Sequence, residues 1–79
     1  MFKHLFPIFN NNPELVYLDN AASTQKPQMV IDGVSSLLAH DYANIHRGLY
    51  DLSERSELLY DQSKHLVAEL LNASSKEVI

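Results

Sequence analysis

The residues of this sequence that are best suited to chemistry are His46, Arg47 and Gly48. They follow one another in a stretch without helical periodicity. An imidazole exchanges a proton near neutral pH, and a guanidinium is a permanent cation that binds carboxylates and phosphates. Loops also carry functional residues more often than helices and strands do. The three residues therefore predict a site for proton handling and anion recognition, with a surface or helix-capping role as the alternative on the residues alone.

Other catalytic and binding chemistries have less support. The four histidines have no HxxxH or HExxH spacing and there is no cysteine, so we expect no protein-built metal site. With only two glycines the sequence has neither a P-loop nor a GxGxxG motif, and no serine lies in a GxSxG elbow. Three aspartates could form a carboxylate set, but each is equally explained as a strand end, a helix end or a helix cap: Asp19, Asp41 and Asp51.

Composition narrows the possible partners. Ten acidic and six basic residues give a net charge of -4 without a basic stripe, so we expect no nucleic acid partner. No apolar run approaches the ~20 residues that span a bilayer, and Pro7 interrupts the apolar N-terminus, so we expect no membrane span and no signal peptide. A membrane-surface contact through Phe2, Leu5 and Phe6 stays open. The absence of cysteine fits a reducing compartment, and we expect a cytoplasmic location.

The elements around the loop must position these residues, and the sequence predicts an amphipathic helix on each side of it. Strand-forming residues from Leu15 to Leu18 lie between Pro13 and Asp19 and predict a short strand. We predict an incomplete domain over 1–79, with an N-terminal arm at 1–14, a strand at 15–19, a helix at 27–40, a loop at 41–50, a helix at 51–72 and the start of a strand at 77–79.

Each helix has a predicted start and a predicted apolar stripe. Pro27 fits the first turn of the first helix, after Ser23 or Thr24 as a cap, and Asp51 with Glu54 resembles a capping box for the second. Residues spaced three and four apart should be buried: Val30 or Ile31, Val34, Leu37 and Leu38 in the first helix, and Leu52, Leu59, Leu66, Val67, Leu70 and Leu71 in the second.

The ends of the second helix and of the chain carry further expectations. Ser53 is a competing cap, and Asn72 is the predicted C-terminal stop. Two short strands so far apart in the sequence have no self-contained sheet to build. We therefore expect that the chain is not a whole domain.

Two motifs in this order resemble a known family. Tyr17 to Pro27 reads YLDNAASTQKP, and Tyr42 to Tyr50 reads YANIHRGLY, followed by Leu52 and Ser53. Together they resemble the N-terminal part of class V aminotransferase-fold enzymes, and most closely the SufS/CsdA-type cysteine desulfurases. The related NifS/IscS branch typically lacks the NIHRG loop, so AASTQKP together with NIHRG favours the former group.

The resemblance implies an α/β fold, the N-terminal piece of a pyridoxal 5'-phosphate (PLP) dependent transferase of fold type I, mainly helical as a fragment. It implies an enzyme that removes sulfur from L-cysteine, leaving alanine and an enzyme persulfide for iron–sulfur cluster assembly. The full-length form would be a homodimer with PLP and a sulfur-acceptor protein. The Schiff-base lysine and the reactive cysteine of such enzymes lie in later segments, so the 79 residues should be inactive alone.

The resemblance also implies roles for particular residues. Ala21, Ala22 and His46 would lie on the substrate side of the pocket, the alanines leaving room and offering backbone contacts. Asn44 and Arg47 would be positioning or dimer-contact residues. No catalytic or cofactor-binding residue is expected within this stretch.

Two alternatives remain open at this point. The chain could be a stand-alone helical interaction module or remnant that docks on a homologue through Leu59, Leu66 and Leu70. It could also belong to another class V PLP enzyme, such as a selenocysteine lyase, because the residues that decide the reaction lie in later segments.

Overall fold

The computed structural model describes residues 2–46 and 48–79 and divides the chain into two units. The first unit ends at Ser36 and the second begins at Leu37. Among the described residues, no helix combines the length and the apolar character needed to cross a membrane. Each unit has its own set of helices and turns.

The first unit begins with two short helical segments. A 3-10 turn covers Lys3–Leu5, and helix α1 covers Pro7–Asn11. Both segments lie in the predicted N-terminal arm at 1–14. Pro7 stands at the N-terminus of α1, where its fixed φ angle suits the helix and its missing N–H costs nothing.

The predicted strand at 15–19 is wrong. Those residues have no regular secondary structure, and no strand forms anywhere in the described part of the chain. The apolar side chains of the segment are largely exposed, with Val16 at 76% and Leu18 at 90%. A strand needs a neighbouring strand for its N–H and C=O groups, and strand-forming residues alone do not supply one.

Helix α2 covers Gln28–Ser36, and the Pro27 carbonyl accepts hydrogen bonds from the N–H groups of Val30 and Ile31, at 3.0 and 3.3 Å. The helix predicted at 27–40 is thus present at its N-terminal end, but its last part is a separate π-helical turn in the second unit, Leu37–Asp41. The predicted apolar stripe is not buried. Its α2 members are 40 to 52% exposed: Val30, Ile31 and Val34.

The second unit is built on helix α3, Asp51–Leu71, which agrees closely with the helix predicted at 51–72. The predicted capping box is wrong, because Tyr50 is the N-cap and makes no side-chain cap hydrogen bond. The Tyr50 carbonyl accepts the N–H of Glu54 at 3.1 Å, so Asp51 is the first helical residue. An acidic residue there is still favourable, because it lies near the positive end of the helix dipole.

The C-terminal end of α3 confirms the prediction at Asn72. This residue has φ 54° and ψ 46°, and its N–H donates to the Glu69 carbonyl at 3.2 Å. The Ala73 N–H donates to the Ala68 carbonyl at 2.9 Å. Asparagine tolerates the left-handed conformation better than most residues, so the helix ends at a residue suited to ending it.

The strand start predicted at 77–79 is not formed. Ser75–Glu77 is a 3-10 turn closed by a capping box, in which the Ser74 N–H donates to the Glu77 carboxylate at 2.8 Å. Val78 that follows has an extended backbone but no strand partner among the described residues. Local capping therefore determines the conformation of Glu77.

Burial in the second unit is the reverse of the pattern that the sequence predicts for α3. Among the residues that the structure describes, the buried ones are Ser53, Ser56 and Ala68. The residues predicted to be buried are exposed to between 38 and 84%: Leu52, Leu59, Leu66, Val67, Leu70 and Leu71. Helical periodicity identifies the face that can pack, but burial also needs other residues to cover that face.

We expect Asn72→Ala to destabilise the C-terminal end of α3 by ~1 kcal/mol and so to lower its helix content. Most side chains with a Cβ disfavour the left-handed conformation of residue 72, and asparagine tolerates it better. Asn72→Gly is the matched control and should keep the wild-type helix content. Far-UV circular dichroism during a thermal melt measures both. An equal loss in the two variants would contradict the role of the backbone conformation.

Candidate functional site

The loop between the π-helical turn and α3 has a local hydrogen bond at its centre. The side-chain oxygen of Asn44 accepts the backbone N–H of His46 at 2.9 Å. This is the geometry in which asparagine mimics a backbone turn. Two of the predicted site residues are thereby brought together, while Arg47 lies outside the described residues.

Ser53 of α3 supports the same turn. Its side chain is buried, with 1% exposure, and its hydroxyl donates a hydrogen bond to the carbonyl of Asn44. Asn44 is therefore held through its backbone oxygen by α3 while its side chain holds the backbone of His46.

Ser56 makes the equivalent contact where the loop begins. It is 6% exposed, and its hydroxyl donates to the carbonyl of Asp41. The Asp41 carboxylate also forms an ion pair with Arg55 at 2.9 Å, and Arg55 lies 3.3 Å from Asp51. Because the Arg55 side chain is 47% exposed, solvent weakens these ion pairs, and the buried hydroxyl is the more specific anchor.

Gly48 lies directly against Ser53. A Cβ atom built on Gly48 would overlap the side chain of Ser53 and would lie 3.2 Å from the carbonyl oxygen of Asn44. The φ angle of Gly48 is not positive, so it is space and not backbone conformation that favours glycine here. The group that lies against this glycine is the Ser53 side chain of α3.

A cavity of about 490 Å³ lies between this loop and α3. Its volume is within the range of small-molecule sites, and its lining combines apolar and aromatic side chains with a few polar groups. Its hydrogen-bonding side chains include those of His46 and two tyrosines, together with Asn44, Ser56 and Ser63. The principal lining residues are Leu37, Tyr42, Ile45, His46, Leu59 and Tyr60.

Ala21 and Ala22 lie in the first unit, in a turn that is closed on its own backbone. The Asp19 carbonyl accepts the N–H groups of Ala22 and Ser23, both at 3.1 Å. The side-chain oxygen of Asn20 accepts the N–H of Gln25 at 3.1 Å. Both alanines are exposed, and the N–H of Ala22 is already used within the turn.

A lysine could hold a cofactor covalently, and a cluster of His, Cys, Asp or Glu side chains could hold a metal ion. None of the four lysines in the described part of the chain is buried. Lys3 and Lys64 lie 5.0 and 5.7 Å from the ring centroids of Phe9 and Tyr60, and Lys26 donates to the carbonyl of Thr24. Within residues 2–46 and 48–79 no three His, Cys, Asp or Glu side chains form a metal-binding group. The described residues do not fit a cofactor that is held covalently by a buried lysine.

Ser53 and Ser56 are the site residues that the sequence did not identify, since Ser53 was interpreted only as a competing cap. A signal was available. Serine is not a preferred residue of helix interiors, and two serines three positions apart lie on the same helix face. Their position beside a loop rich in polar residues could have indicated hydrogen bonds to that loop.

Comparison with known proteins gives matches along the chain. The model of the family described as aminotransferase class V matches residues 16–79. A probable cysteine desulfurase of Vibrio cholerae is 44% identical over 79 residues, which is 99% of this chain and 19% of that protein.

Two further relatives carry related descriptions. A probable cysteine desulfurase of Mycolicibacterium paratuberculosis is 43% identical over 77 residues, covering 94% of this chain and 11% of that protein. The cysteine desulfurase SufS of Plasmodium falciparum is 36% identical over 74 residues, covering 94% of this chain and 14% of that protein. The chain spans 11 to 19% of the length of these three relatives.

We expect Gly48→Ala to destabilise the second unit by ~1–3 kcal/mol, because the new methyl group displaces Ser53 and breaks its hydrogen bond to Asn44. Gly33→Ala is the matched control. Nothing lies within 4 Å of a Cβ at Gly33, so alanine there should stabilise α2 by up to ~1 kcal/mol. Circular dichroism melts of the two variants should shift in opposite directions, and shifts of the same sign would contradict the packing at Gly48.

Proposed function

Because the chain belongs to the class V aminotransferase family, we propose that it forms the N-terminal part of a cysteine desulfurase acting on L-cysteine. The observation that carries this proposal is the identity of 36 to 44% with proteins described as cysteine desulfurases, over 94 to 99% of the chain. The reaction would leave alanine and place the sulfur on the enzyme as a persulfide. Iron–sulfur cluster assembly would then consume that sulfur.

The second unit would supply one wall of the amino-acid site. His46 lines a cavity whose other walls are largely apolar or aromatic, which is a suitable place for one polar contact to a small substrate. Asn44 would fix the backbone of His46 through the 2.9 Å hydrogen bond. Arg47, next in the sequence, would be a positioning or dimer-contact residue.

The first unit would contribute the turn with Ala21 and Ala22. Both side chains are exposed and small, so a substrate or another segment could approach the turn closely. Asp19 and Asn20 close the turn through the hydrogen bonds that they accept, which would keep its shape when a ligand binds. The proposed role of Ala21 and Ala22 is to leave room beside the substrate.

Enzymes of this family generally depend on PLP, which supplies an electron sink for reactions at the amino-acid Cα. The lysines of the described residues do not fit its attachment, since none is buried. We propose that the cofactor's lysine and the sulfur-accepting cysteine are supplied outside these 79 residues. The enzyme would be a cytoplasmic homodimer that passes its sulfur to an acceptor protein.

The alternatives are less well supported. All three relatives described above are cysteine desulfurases by their descriptions, which does not favour a stand-alone interaction module or a remnant. The leucines proposed for docking are exposed, but exposure does not identify a partner: Leu59, Leu66 and Leu70. A selenocysteine lyase would use the same fold, and its distinguishing residues would lie outside this stretch.

A chimera tests the proposed role of His46. Residues 1–79 would replace the matching segment of the Vibrio cholerae relative, and alanine release from L-cysteine would be measured in the presence of PLP and a thiol. We expect the chimera to be active and His46→Ala to lower its kcat/KM by about 10- to 100-fold, the cost of losing a hydrogen bond to a charged group.

His65→Ala is the matched control for this chimera. The imidazole of His65 is 68% exposed and lies 3.3 Å from Glu69 on α3, so its loss should leave kcat/KM unchanged. Equal activity of the His46 and His65 variants would contradict the proposed role of His46. A folded, PLP-containing chimera without alanine release would contradict the cysteine desulfurase assignment of the chain.

The 79-residue chain alone should not react. Mixed with PLP and L-cysteine, it is expected to give neither alanine above the level of free PLP nor a new cofactor absorption band, because none of its lysines is buried. Amino-acid analysis and visible absorption measure the two quantities. Alanine formation above the free-PLP control would show that the cofactor can be used without further protein.

A further inference from the structure

Two buried serines of α3 bind the loop instead of their own helix. A serine within a helix usually faces solvent or donates to the carbonyl four residues earlier. Ser63 does the latter, with its hydroxyl 2.9 Å from the Leu59 carbonyl. Ser53 and Ser56 donate instead to carbonyls of the preceding segment, those of Asn44 and Asp41.

The two contacts have separate effects. Ser56 holds Asp41, the residue at which the π-helical turn ends, and the ion pair of Arg55 with Asp41 supports the same point. Ser53 holds Asn44, whose side chain in turn accepts the N–H of His46. Only the contact of Ser53 is connected to His46 through a short series of hydrogen bonds.

We propose that Ser53 is a positioning residue that sets the place of His46 at the cavity between the loop and α3. Gly48 is the second part of this arrangement, because it leaves the space that the Ser53 side chain occupies. The functional importance of His46 rests on the cysteine desulfurase function proposed above. The positional link between Ser53 and His46 rests only on their hydrogen bonds to Asn44.

The surroundings of Ser53 favour a positioning role over a general contribution to folding. Ser53→Ala removes one buried donor, while the Ser56 and Arg55 contacts still hold the start of the loop at Asp41. Helix α3 itself loses no hydrogen bond, since the Ser53 hydroxyl donates outside the helix. Asn44 and His46 are the residues that become free to move.

A double-mutant cycle in the chimera tests this role. We expect Ser53→Ala to lower kcat/KM about tenfold, the effect of one lost hydrogen bond in a positioned site. In the His46→Ala background the same substitution should cause no further loss, because Ser53 acts through His46. Equal losses in the two backgrounds would show that Ser53 acts independently of His46 and would overturn the proposal.

Ser35→Ala is the control, since it removes the hydroxyl of an exposed serine of α2 that does not line the cavity. It should leave the kcat/KM of the chimera and that of its His46→Ala variant unchanged. The melting temperature of each variant separates a change in position from a loss of folded protein. A loss in Ser35→Ala as large as that in Ser53→Ala would also overturn the proposal.

NMR of the 79-residue chain supplies a test that is independent of activity. We expect Ser53→Ala to shift the amide resonance of His46 and to speed its hydrogen exchange, with no such change in Ser35→Ala. An unchanged or already unprotected His46 amide would overturn the positional link. If the amide responds while His46→Ala leaves the chimera fully active, the link stands and the proposed role of His46 fails.

Discussion

The hydrogen bond from the buried Ser53 hydroxyl to the Asn44 carbonyl is the contact on which the candidate site depends. A loop has no helix or strand partners for its backbone, so its carbonyls must find water or side-chain donors. Here α3 supplies two hydroxyls, from Ser53 and Ser56, at positions three residues apart. The path of the loop is therefore set by the N-terminal part of one helix.

This dependence explains why glycine is found at position 48. The Ser53 side chain reaches the loop at the place where a Cβ of Gly48 would lie, so the hydroxyl can bind Asn44 only when that Cβ is absent. Asn44 adds a second requirement, because its side-chain oxygen accepts the His46 N–H while its carbonyl accepts Ser53. The identities of these residues are linked by contact, although several positions separate them in the sequence.

The sequence predicts those secondary-structure elements correctly whose determinants are neighbouring residues. Helix formers between Asp51 and Leu71, and an asparagine suited to a left-handed conformation at Asn72, were sufficient to predict α3 and its end. The prediction failed at 15–19 and 77–79, where a strand needs a partner that neighbouring residues cannot provide. The capping of α3 was misjudged by one residue, because Tyr50 takes the N-cap position without a side-chain hydrogen bond.

The candidate site was predicted only in part, because some of its contacts are local in the sequence and others are not. The polar residues of the loop can be recognised from their types and their place between two helices, and Asn44 with His46 is a short-range pair. The contacts of Ser53 and Ser56 span nine and fifteen residues, so helical periodicity could place the two serines on one face of α3 but could not identify the carbonyls that they bind. It instead predicted buried leucines on α3, which remain exposed because no described residues cover them.

The loop of this site is held by directional polar contacts. Such contacts restrict which side chains can replace the residues that make them. An apolar residue on α3 can be replaced by another of similar size at small cost, because dispersion and burial depend weakly on direction. A hydroxyl donating to one carbonyl beside a glycine has no such freedom, since a larger side chain overlaps Gly48 and an apolar one leaves the Asn44 carbonyl without its donor. The sequence is therefore more tightly constrained at Asn44, Gly48 and Ser53 than at the exposed leucines of the same helix.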